Sequence, residues 1–345
     1  MKYYAGLDVS VKETFFCILN EEGKRVYEGS CASDPVPLYE ALTHQGYKLE
    51  KVGMEAGSIS AYLTKGLTDL GLNAICIDAR KMAAILSVTI NKTDKNDARG
   101  IADAIRCNHY KEVNLRDISD VSTEILLQSR STLVGTRTKF KNKIRGYLKT
   151  FGIRLGDVGN KSFTRTVHTF YVEMPLTARL AIDSLLTLFE ETSREIDRLD
   201  QELNKLCKDD ALVGLLTTAP GVGKIVALSF KSSIGDPGRF KNSASVGAYY
   251  GMSPRQYSSG ETVRQGRISK CGDSYVRHLL VEAATVLLTR TKKWSSLKAW
   301  GLRLMKKSGL RRAAVAVGRK LAVTMHAMLL TGEEFRFSKA ETLTR

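Results

Sequence analysis

The 345-residue sequence predicts an α/β domain at residues 1–120, followed by two segments that are mostly helical. Short β-rich runs separated by turn residues fill the first 80 residues, whereas apolar residues recur at helical spacing from about residue 121 onward. The hydrophobic content of 43% is enough for two or three domains, each with its own core. This composition excludes a chain that is disordered throughout.

The elements of the first domain follow one another in a definite order. They are predicted as strands at 3–9, 14–19 and 25–29, a helix at 34–44, a strand at 51–55, a helix at 59–70, a strand at 73–77 and a helix that begins near Thr93. Three antiparallel strands followed by strand, helix, strand and helix is the order of an RNase H-like domain. In such a sheet the first and fourth strands are neighbours.

The second segment, residues 121–210, combines a basic helix with a heptad seam. The helix is predicted at 121–148, and five bases crowd into little more than two of its turns: Arg137, Lys139, Lys141, Lys143 and Arg145. Residues 182–206 carry apolar residues at alternating spacings of three and four, broken at Thr192. This seam predicts either a coiled coil, between chains or within a hairpin, or a helix packed inside its own domain.

The third segment, residues 211–332, begins with two short helices at 215–219 and 224–230. The turn between them contains Gly221 and Gly223, and Lys224 opens the second helix. Glycines let a backbone approach a phosphate, and a helix amino terminus favours negative charge, which is typical of a helix-hairpin-helix clamp on DNA. A plain corner between two helices is the alternative. The remainder is predicted to be helical with a polar loop at 253–266, before a tail at 333–345.

The net charge of +17 is distributed in two blocks. Residues 121–165 hold 10 basic and 2 acidic side chains, and residues 255–320 hold 16 and 3, whereas the rest of the chain up to residue 320 is close to neutral. Charge clustered in this way predicts a nucleic-acid partner whose affinity falls steeply with salt. A solvated lysine-rich surface is the alternative interpretation.

Several protein classes do not fit the sequence. The six cysteines are scattered without a C-x-x-C pair, and the five histidines form no ligand-spaced cluster with them, which disfavours a zinc site and a disulfide framework. The sequence shows no spanning segment and no charged-then-apolar leader. We therefore expect a soluble, cytoplasmic protein with no membrane partner.

Four acidic residues form the strongest chemical pattern. Asp8 and Glu55 end two predicted strands, while Asp94 and Asp97 lie three residues apart at the start of a helix and so share one face. Neighbouring strands would bring the first two together, and the helix would supply the others. Carboxylates gathered in this way repel one another unless cations lie between them, and they suit Mg²⁺ or Mn²⁺. Taken singly, Asp97 would be a solvated helix residue and Asp94 a cap.

The motifs around these acids resemble those of the DEDD transposases of bacterial insertion sequences, a family with a RuvC-like domain that includes the Piv invertases and bridge-RNA-guided members. The motifs are Gly-Leu-Asp-Val-Ser at 6–10, Met-Glu-Ala-Gly-Ser at 54–58 and Asn-Lys-Thr-Asp-Lys-Asn-Asp-Ala at 91–98. The segments at 219–223, 234–240, 251–260 and 268–273 are similar to the family's carboxyl-terminal transposase domain. The resemblance spans residues 3 to 330.

The resemblance implies a role for each matching residue. Asp8, Glu55, Asp94 and Asp97 would bind Mg²⁺ or Mn²⁺, and Ser259, before Gly260, would attack the scissile DNA phosphate to form a phosphoserine link. No histidine lies nearby in sequence, so the basic residues Arg255, Arg264, Arg267 and Lys270, with Arg277 beyond them, would hold the phosphate or lower the serine pKa. Ser258 is the neighbouring alternative, and Tyr257 would stack or pack rather than act as nucleophile.

The resemblance also implies partners: donor and target DNA, a guide (bridge) RNA, and a second copy of the chain in a dimer that pairs again into a tetramer on DNA. Other classes of function remain open at this point. A metal-dependent nuclease or junction resolvase would use the four acids with water, and a non-catalytic RNA- or DNA-binding protein would use none of them. An actin-like sugar kinase shares the Gly-x-Asp start, yet the sequence has no second glycine-rich phosphate loop.

Overall fold

The computed structural model describes residues 1–87, 93–259 and 262–337, with the backbone alone at residues 258, 259 and 262–265. The chain divides into two compact units, Met1–Leu115 and Arg116–Arg345. The first is a mixed α/β unit, and the second is mostly helical. This broad division agrees with the α/β and helical segments that the sequence predicts.

The first unit is built on one five-stranded sheet in the order β3-β2-β1-β4-β5. Its strands are β1 (Tyr3–Val9), β2 (Glu13–Asn20), β3 (Arg25–Ala32), β4 (Leu49–Glu55) and β5 (Ala74–Ile77). The pairs β1–β2 and β2–β3 are antiparallel, whereas β1–β4 and β4–β5 are parallel. The predicted adjacency of the first and fourth strands is therefore confirmed.

Four helices accompany this sheet: α1 (Pro35–Thr43), α2 (Ser60–Asp69), α3 (Ala79–Leu86) and α4 (Asp94–Arg106). Leu38 of α1 and Leu63 of α2 pack in one cluster with Leu7 of β1. The sequence interpretation missed α3. Its signal was a side-chain cap, since Asp78 accepts hydrogen bonds from the amides of Arg80 and Lys81 at 3.0 and 3.1 Å.

The second unit begins with two long helices, α5 (Ile118–Thr150) and α7 (Leu176–Lys208), which are joined through α6 (Phe163–His168). Arg130 of α5 forms an ion pair with Asp200 of α7, whereas Ile144 and Ile182 share a core cluster at the other end, so the two helices run antiparallel. The buried seam residues are Ile182, Phe189, Ile196 and Leu203, while Leu206 is exposed. The predicted seam is therefore covered largely within its own chain.

Six further helices share one hydrophobic core. They are α8 (Ala211–Thr217), α9 (Lys224–Ile234), α10 (Ser245–Tyr249), α11 (Ser274–Thr289), α12 (Ser296–Ser308) and α13 (Leu310–Thr331). Among the described helices, α13 is the only one long and apolar enough to cross a membrane, but half of that stretch is buried in this core. Val317, Leu321 and Met325 are fully buried there, as is typical of the core helix of a globular unit.

The polar loop that the sequence predicts at 253–266 is instead a β-hairpin. Strands β6 (Pro254–Ser259) and β7 (Thr262–Ile268) pair antiparallel, from Pro254 opposite Ile268 to Ser259 opposite Thr262. The strands contain the β-formers tyrosine, threonine, valine and isoleucine, but polar and charged residues interrupt them, so they form no apolar run. Arg255 and Tyr257 are exposed. The prediction was wrong because polar composition was given more weight than β-propensity.

Candidate active site and nucleic-acid interface

Asp8 and Glu55 lie next to each other on parallel strands. Leu7 of β1 is in register with Met54 of β4, so the next residues along the two strands are these acids. Both side chains are half-buried, at the edge where β1 and β4 end. The fold therefore contains the adjacency on which the sequence prediction depends.

Both acids face helix α4. A Cβ atom on Gly6 would lie 2.2 Å from the carbonyl oxygen of Ala98, and one on Gly53 would lie 2.4 Å from Cδ1 of Ile105. These two glycines therefore face α4 and let the helix lie directly on the sheet. Because side chains alternate between the two faces of a strand, the acid two residues beyond each glycine also faces α4.

The first turn of α4 lies at the same edge as these acids. At the opposite end of the helix, Arg106 Nη1 donates a hydrogen bond of 3.1 Å to the carbonyl oxygen of Glu21. Glu21 follows the end of β2, and that end pairs with the start of β1. Helix α4 therefore runs antiparallel to β1, and its first turn, with Asp94 and Asp97, lies toward the carboxyl end of β1.

The amino terminus of α4 is suited to carry two acids. Thr93 caps the helix, since its hydroxyl accepts a hydrogen bond of 3.3 Å from the amide of Asn96. Asp97 is only 8% exposed, whereas Asp94 is exposed. The partial positive charge at the start of a helix stabilises carboxylates in its first turn. Thr93, rather than Asp94, caps the helix. Asp94 therefore does not have the capping role that its sequence position would also allow.

Asp8 and Glu55 end neighbouring strands, and the helix that packs on the same face of the sheet carries Asp94 and Asp97 in its first turn. Their donor chemistry fits a hard divalent cation such as Mg²⁺, which prefers oxygen ligands. Among the residues that the structure describes, however, no three acidic, histidine or cysteine side chains approach closely enough to share a metal ion. The chemistry and the topology therefore fit a metal, while the described side chains do not form a closed coordination site.

Ser259, the predicted nucleophile, is the last residue of β6. Its backbone pairs with Thr262 across the hairpin. The side chains of Ser258, Ser259 and Arg264 lie outside the described part of the structure, as does Gly260. The structure therefore places the backbone of Ser259 at the end of a strand, directly before the connection of the hairpin.

The cations predicted around this serine fall into two groups. Arg255, Arg267 and Lys270 are exposed, although Arg255 also donates a 3.3 Å hydrogen bond to the carbonyl oxygen of Ser269. Arg277 is half-buried and its Nη1 donates to the carbonyl oxygens of Tyr250 and Cys271 at 3.0 and 2.9 Å. Arg277 therefore ties α11 to the segment after β7, whereas the exposed three are available to a phosphate.

Where the sequence predicts helices at 215–219 and 224–230, the structure has α8 at 211–217, a turn at residues 218–223, and α9 at 224–234. Gly221 adopts a φ of 83°, and a Cβ there would lie 2.3 Å from the carbonyl oxygen of Ala283 in α11, so this glycine is needed for packing. Gly223 is exposed with nothing within 4 Å of a Cβ, and Lys224 beside it is exposed. Lys224 Nζ lies 3.4 Å from the amide oxygen of Asn204. An anion can reach the α9 amino terminus at Gly223 but not at Gly221.

The five bases of α5 also divide into two kinds. Lys141 donates to the carbonyl oxygen of Val158 at 2.6 Å, and Arg145 donates to those of Leu155 and Gly156 at 2.7 and 2.6 Å. Burial lowers the pKa of Lys141. These two side chains fasten the segment that follows α5. The remaining three are exposed or half-buried without such bonds to that segment: Arg137, Lys139 and Lys143.

The sequence interpretation gave no role to the two tryptophans. Trp294 and Trp300 are the only tryptophans in the chain, and both lie within the second basic block. The available signal was an acid-free run of 50 residues, 283–332, that contains both rings and eleven Lys and Arg residues. Aromatic rings among unopposed cations are typical of surfaces that bind single strands.

Comparisons with known proteins agree with the motifs along both units. A family model for DEDD transposases of the IS110 type, described as "Transposase", matches residues 5–153. A second, described as "Transposase IS116/IS110/IS902 family", matches residues 213–299. The first match contains all four acids, and the second contains the hairpin with Ser259.

Individual relatives extend the similarity to nearly the whole chain. The transposase for insertion sequence element IS1111A of Coxiella burnetii is 29% identical, over 96% of this chain and 90% of the relative. The transposase for insertion sequence element IS1328 of Yersinia enterocolitica is 28% identical, over 84% and 85% respectively. A probable family 20 transposase of Pseudomonas aeruginosa is 27% identical, over 81% and 83%. The chain therefore belongs to the IS110-type DEDD transposases of insertion sequences.

Proposed function

We propose that this transposase cleaves and rejoins DNA strands through a divalent-metal site at Asp8, Glu55, Asp94 and Asp97 and a covalent intermediate on Ser259. The observation that supports the metal site is that Asp8 and Glu55 end neighbouring strands on the face where α4 packs, and that the first turn of α4 carries Asp94 and Asp97. The α/β unit would then be RNase H-like, of the RuvC type. Ser259 is assigned by the family motif and by its position at the end of β6.

The proposed covalent step needs no reactant other than the serine hydroxyl and the DNA strands themselves. The Ser259 Oγ–P bond forms while the P–O bond to one deoxyribose breaks, and the departing oxygen gains the proton that the serine hydroxyl loses. A strand hydroxyl then attacks the phosphoserine, which restores the serine and rejoins DNA. When bound, a divalent ion supplies positive charge against the charge that develops on the phosphate.

The residues of this chain have distinct tasks in that scheme. A serine hydroxyl is a weak nucleophile, and the exposed cations Arg255, Arg267 and Lys270 favour its ionised form and hold the phosphate. The carboxylates on α4 and the sheet would hold the divalent ion. Asp94 and Asp97 are pre-positioned by the Thr93 cap, so binding the ion requires movement of side chains rather than folding of the helix.

The covalent adduct is the decisive test. Purified protein, Mg²⁺ and DNA carrying the element's ends are mixed, and protein attached to a DNA end is measured by denaturing electrophoresis and mass spectrometry. We expect an adduct on Ser259 that disappears in Ser259→Ala and persists in the matched variant Ser258→Ala. An adduct on Ser258 or Tyr257 would overturn the residue assignment. Cleavage by wild-type protein without any adduct would instead establish a nuclease that uses water.

We also propose that a guide RNA and a second copy of the chain take part. The support for RNA is the family resemblance and the exposed basic side chains of the second unit. The heptad seam does not support a second copy, because most of it is buried within the chain. The support comes from apolar side chains that are exposed near the end of the α5–α7 pair: Val172, Leu176 and Leu180. Light scattering should give a dimer for the wild type, with a larger assembly on DNA. A monomer under both conditions would overturn the second part.

A further inference from the structure

One stretch of the second unit carries positive charge with no acid to oppose it. Between Glu282 and Glu333 there is no aspartate or glutamate, whereas eleven Lys and Arg residues occur. Nine of these are exposed: Arg290, Lys292, Lys293, Arg303, Lys306, Lys307, Arg311, Arg312 and Lys320. Like charges at this density repel one another, which lowers stability unless an anionic partner is present.

None of the ion pairs among the described residues involves this stretch. Elsewhere on the second unit, surface bases are paired on their own helices, as in Arg194 with Glu191 and Arg198 with Glu195. No side chain of residues 283–332 takes part in an ion pair with another described residue. The difference indicates a surface that is complementary to a polyanion rather than one that is merely soluble.

Both tryptophans lie within this stretch. Trp294, in the connection between α11 and α12, is 49% exposed, and Lys298 Nζ lies 5.8 Å from its ring centroid. Trp300, on α12, is half-buried, and Lys320 Nζ lies 4.9 Å from its ring. A large ring that is half exposed to water costs hydrophobic free energy unless a ligand covers it. Lys320, beside the second ring, is exposed and can hold a phosphate next to a stacked base, whereas Lys298 donates a hydrogen bond to the carbonyl oxygen of Thr291.

A groove of about 580 Å³ opens beside the second ring. Trp300, Leu297 and Met328 give it an apolar wall, and Arg303 and Lys320 supply its charge. Glu333 and Glu334 also line it, and Glu333 is paired with Arg336 at 2.8 Å. An apolar wall beside cations suits a ligand with an aromatic face and a negative group, as each nucleotide has.

We propose that this tryptophan surface, made of Trp294, Trp300, Arg303, Lys306 and Lys320, binds an unpaired stretch of nucleic-acid strand, a proposal that rests on the proposed nucleic-acid function. A base inside a duplex has both faces covered by its neighbours, so a ring can stack only on an unpaired base. A surface of cations without an aromatic ring would bind a duplex as well as a single strand. The half-exposed ring of Trp294 therefore selects the single-stranded form.

The chain provides its own probe of this proposal. Because both tryptophans lie on this surface, the intrinsic tryptophan emission of the full-length protein reports on this surface alone. A twelve-nucleotide U strand, the matching dT strand and a twelve-base-pair duplex are titrated separately, while the anisotropy of a labelled strand reports binding anywhere on the protein. We expect quenching by the single strands and little change with the duplex. A larger response to U or to dT identifies the strand as RNA or DNA and supports the proposal in either case.

Variants separate stacking from charge. Trp294→Ala should weaken single-strand binding by roughly 5- to 150-fold, while Trp294→Phe should retain most of it, because a phenyl ring also stacks. Tyr62→Ala, which removes a 56% exposed ring of the first unit, is the matched control and should have no effect. Replacing both Arg303 and Lys320 with Ala should lower the salt slope by about 0.7 for each phosphate that the variant no longer neutralises.

The outcomes distinguish this proposal from the proposed function. Strand binding by anisotropy without any change in tryptophan emission would overturn the tryptophan surface and leave the recombinase intact. Equal quenching by the duplex would overturn the preference for unpaired strands. Quenching by phosphatidylserine vesicles but not by strands would show a membrane-binding surface instead. Quenching with no serine adduct in the catalytic assay would leave this surface standing and remove the recombinase.

Discussion

Gly6 of β1 lies directly beneath Ala98 of α4. A Cβ atom on Gly6 would come within 2.2 Å of the Ala98 carbonyl oxygen and 2.3 Å of the amide nitrogen of Ala102. The atoms in the way are backbone, so no side-chain rotation can make room. This close approach fixes how near α4 lies to the sheet, and it therefore fixes where the acids of α4 lie relative to Asp8.

Replacing Gly6 with Ala should destabilise the first unit. Overpacking against backbone should cost about 3 kcal/mol or more, at the upper end of the usual range. The measurement is urea unfolding of the full chain followed by circular dichroism. Gly135→Ala is the matched control, since a Cβ there meets nothing within 4 Å in the exposed middle of α5, and it should be neutral or stabilising. Equal midpoints for the two variants would contradict the close approach.

The first unit could be predicted largely from its sequence because its strands are short, regular and separated by turn residues. The adjacency of Asp8 and Glu55 followed from the order of the elements together with the RNase H-like sheet that this order suggests. The hairpin around Ser259 was predicted as a loop because both of its strands carry exposed side chains and no apolar alternation marks them. Helix α3 was missed because eight residues give too few turns for a clear periodicity.

The roles of the basic residues could not be predicted in the same way. Lys141 and Arg145 are indistinguishable in sequence from Lys139 and Lys143. Their partners are carbonyl oxygens of the segment at 155–158, and no sequence pattern reports a bond to a backbone carbonyl. Spacing shows where charge is concentrated, but only the fold shows which cations are already bonded within the chain.

Removing a single acid should separate catalysis from binding. Asp8→Asn keeps the shape of the side chain but removes a charge that would hold the metal, so strand cleavage should fall to background. Nucleic-acid affinity should change little, because the basic blocks lie in the second unit. Isothermal titration should also show weaker Mg²⁺ binding. Asp69→Asn, an exposed acid paired with Lys65, is the control. Wild-type cleavage by the Asp8 variant would contradict the metal site.

Two pairs of variants on α5 should behave differently. Lys139→Ala with Lys143→Ala removes exposed charge, so duplex affinity should fall and the salt slope should flatten by about 0.9 for each phosphate that is no longer neutralised. Lys141→Ala with Arg145→Ala removes hydrogen bonds to carbonyl oxygens, so stability should fall as well, by about 1–3 kcal/mol. Filter binding over a salt series and urea unfolding measure the two effects. The prediction fails if both pairs change only the salt slope.

His326 gives the second unit a stability that depends on pH. Its ring is fully buried, with Nε2 3.0 Å from the carbonyl oxygen of Pro237 and Nδ1 2.9 Å from the hydroxyl of Ser243. A carbonyl only accepts, so Nε2 carries the proton, and a neutral ring accepts from Ser243 at Nδ1. Burial lowers the pKa of His326, which means that the folded state disfavours the charged ring.

The direction of the pH effect follows from this lowered pKa. An unfolded histidine titrates near about 6.5, so below that pH the unfolded chain binds a proton that the folded chain does not yet bind. The free energy of unfolding should therefore be constant at higher pH and fall as the pH drops below about 6.5, until the folded ring is protonated as well.

Urea unfolding followed by tryptophan emission, which reports on the second unit, measures this pH dependence. His326→Gln should be less stable at pH 7.5 and lose this component of the pH dependence, whereas the exposed His44→Gln should keep it. A pH profile that is unchanged in His326→Gln would show that other groups cause the loss.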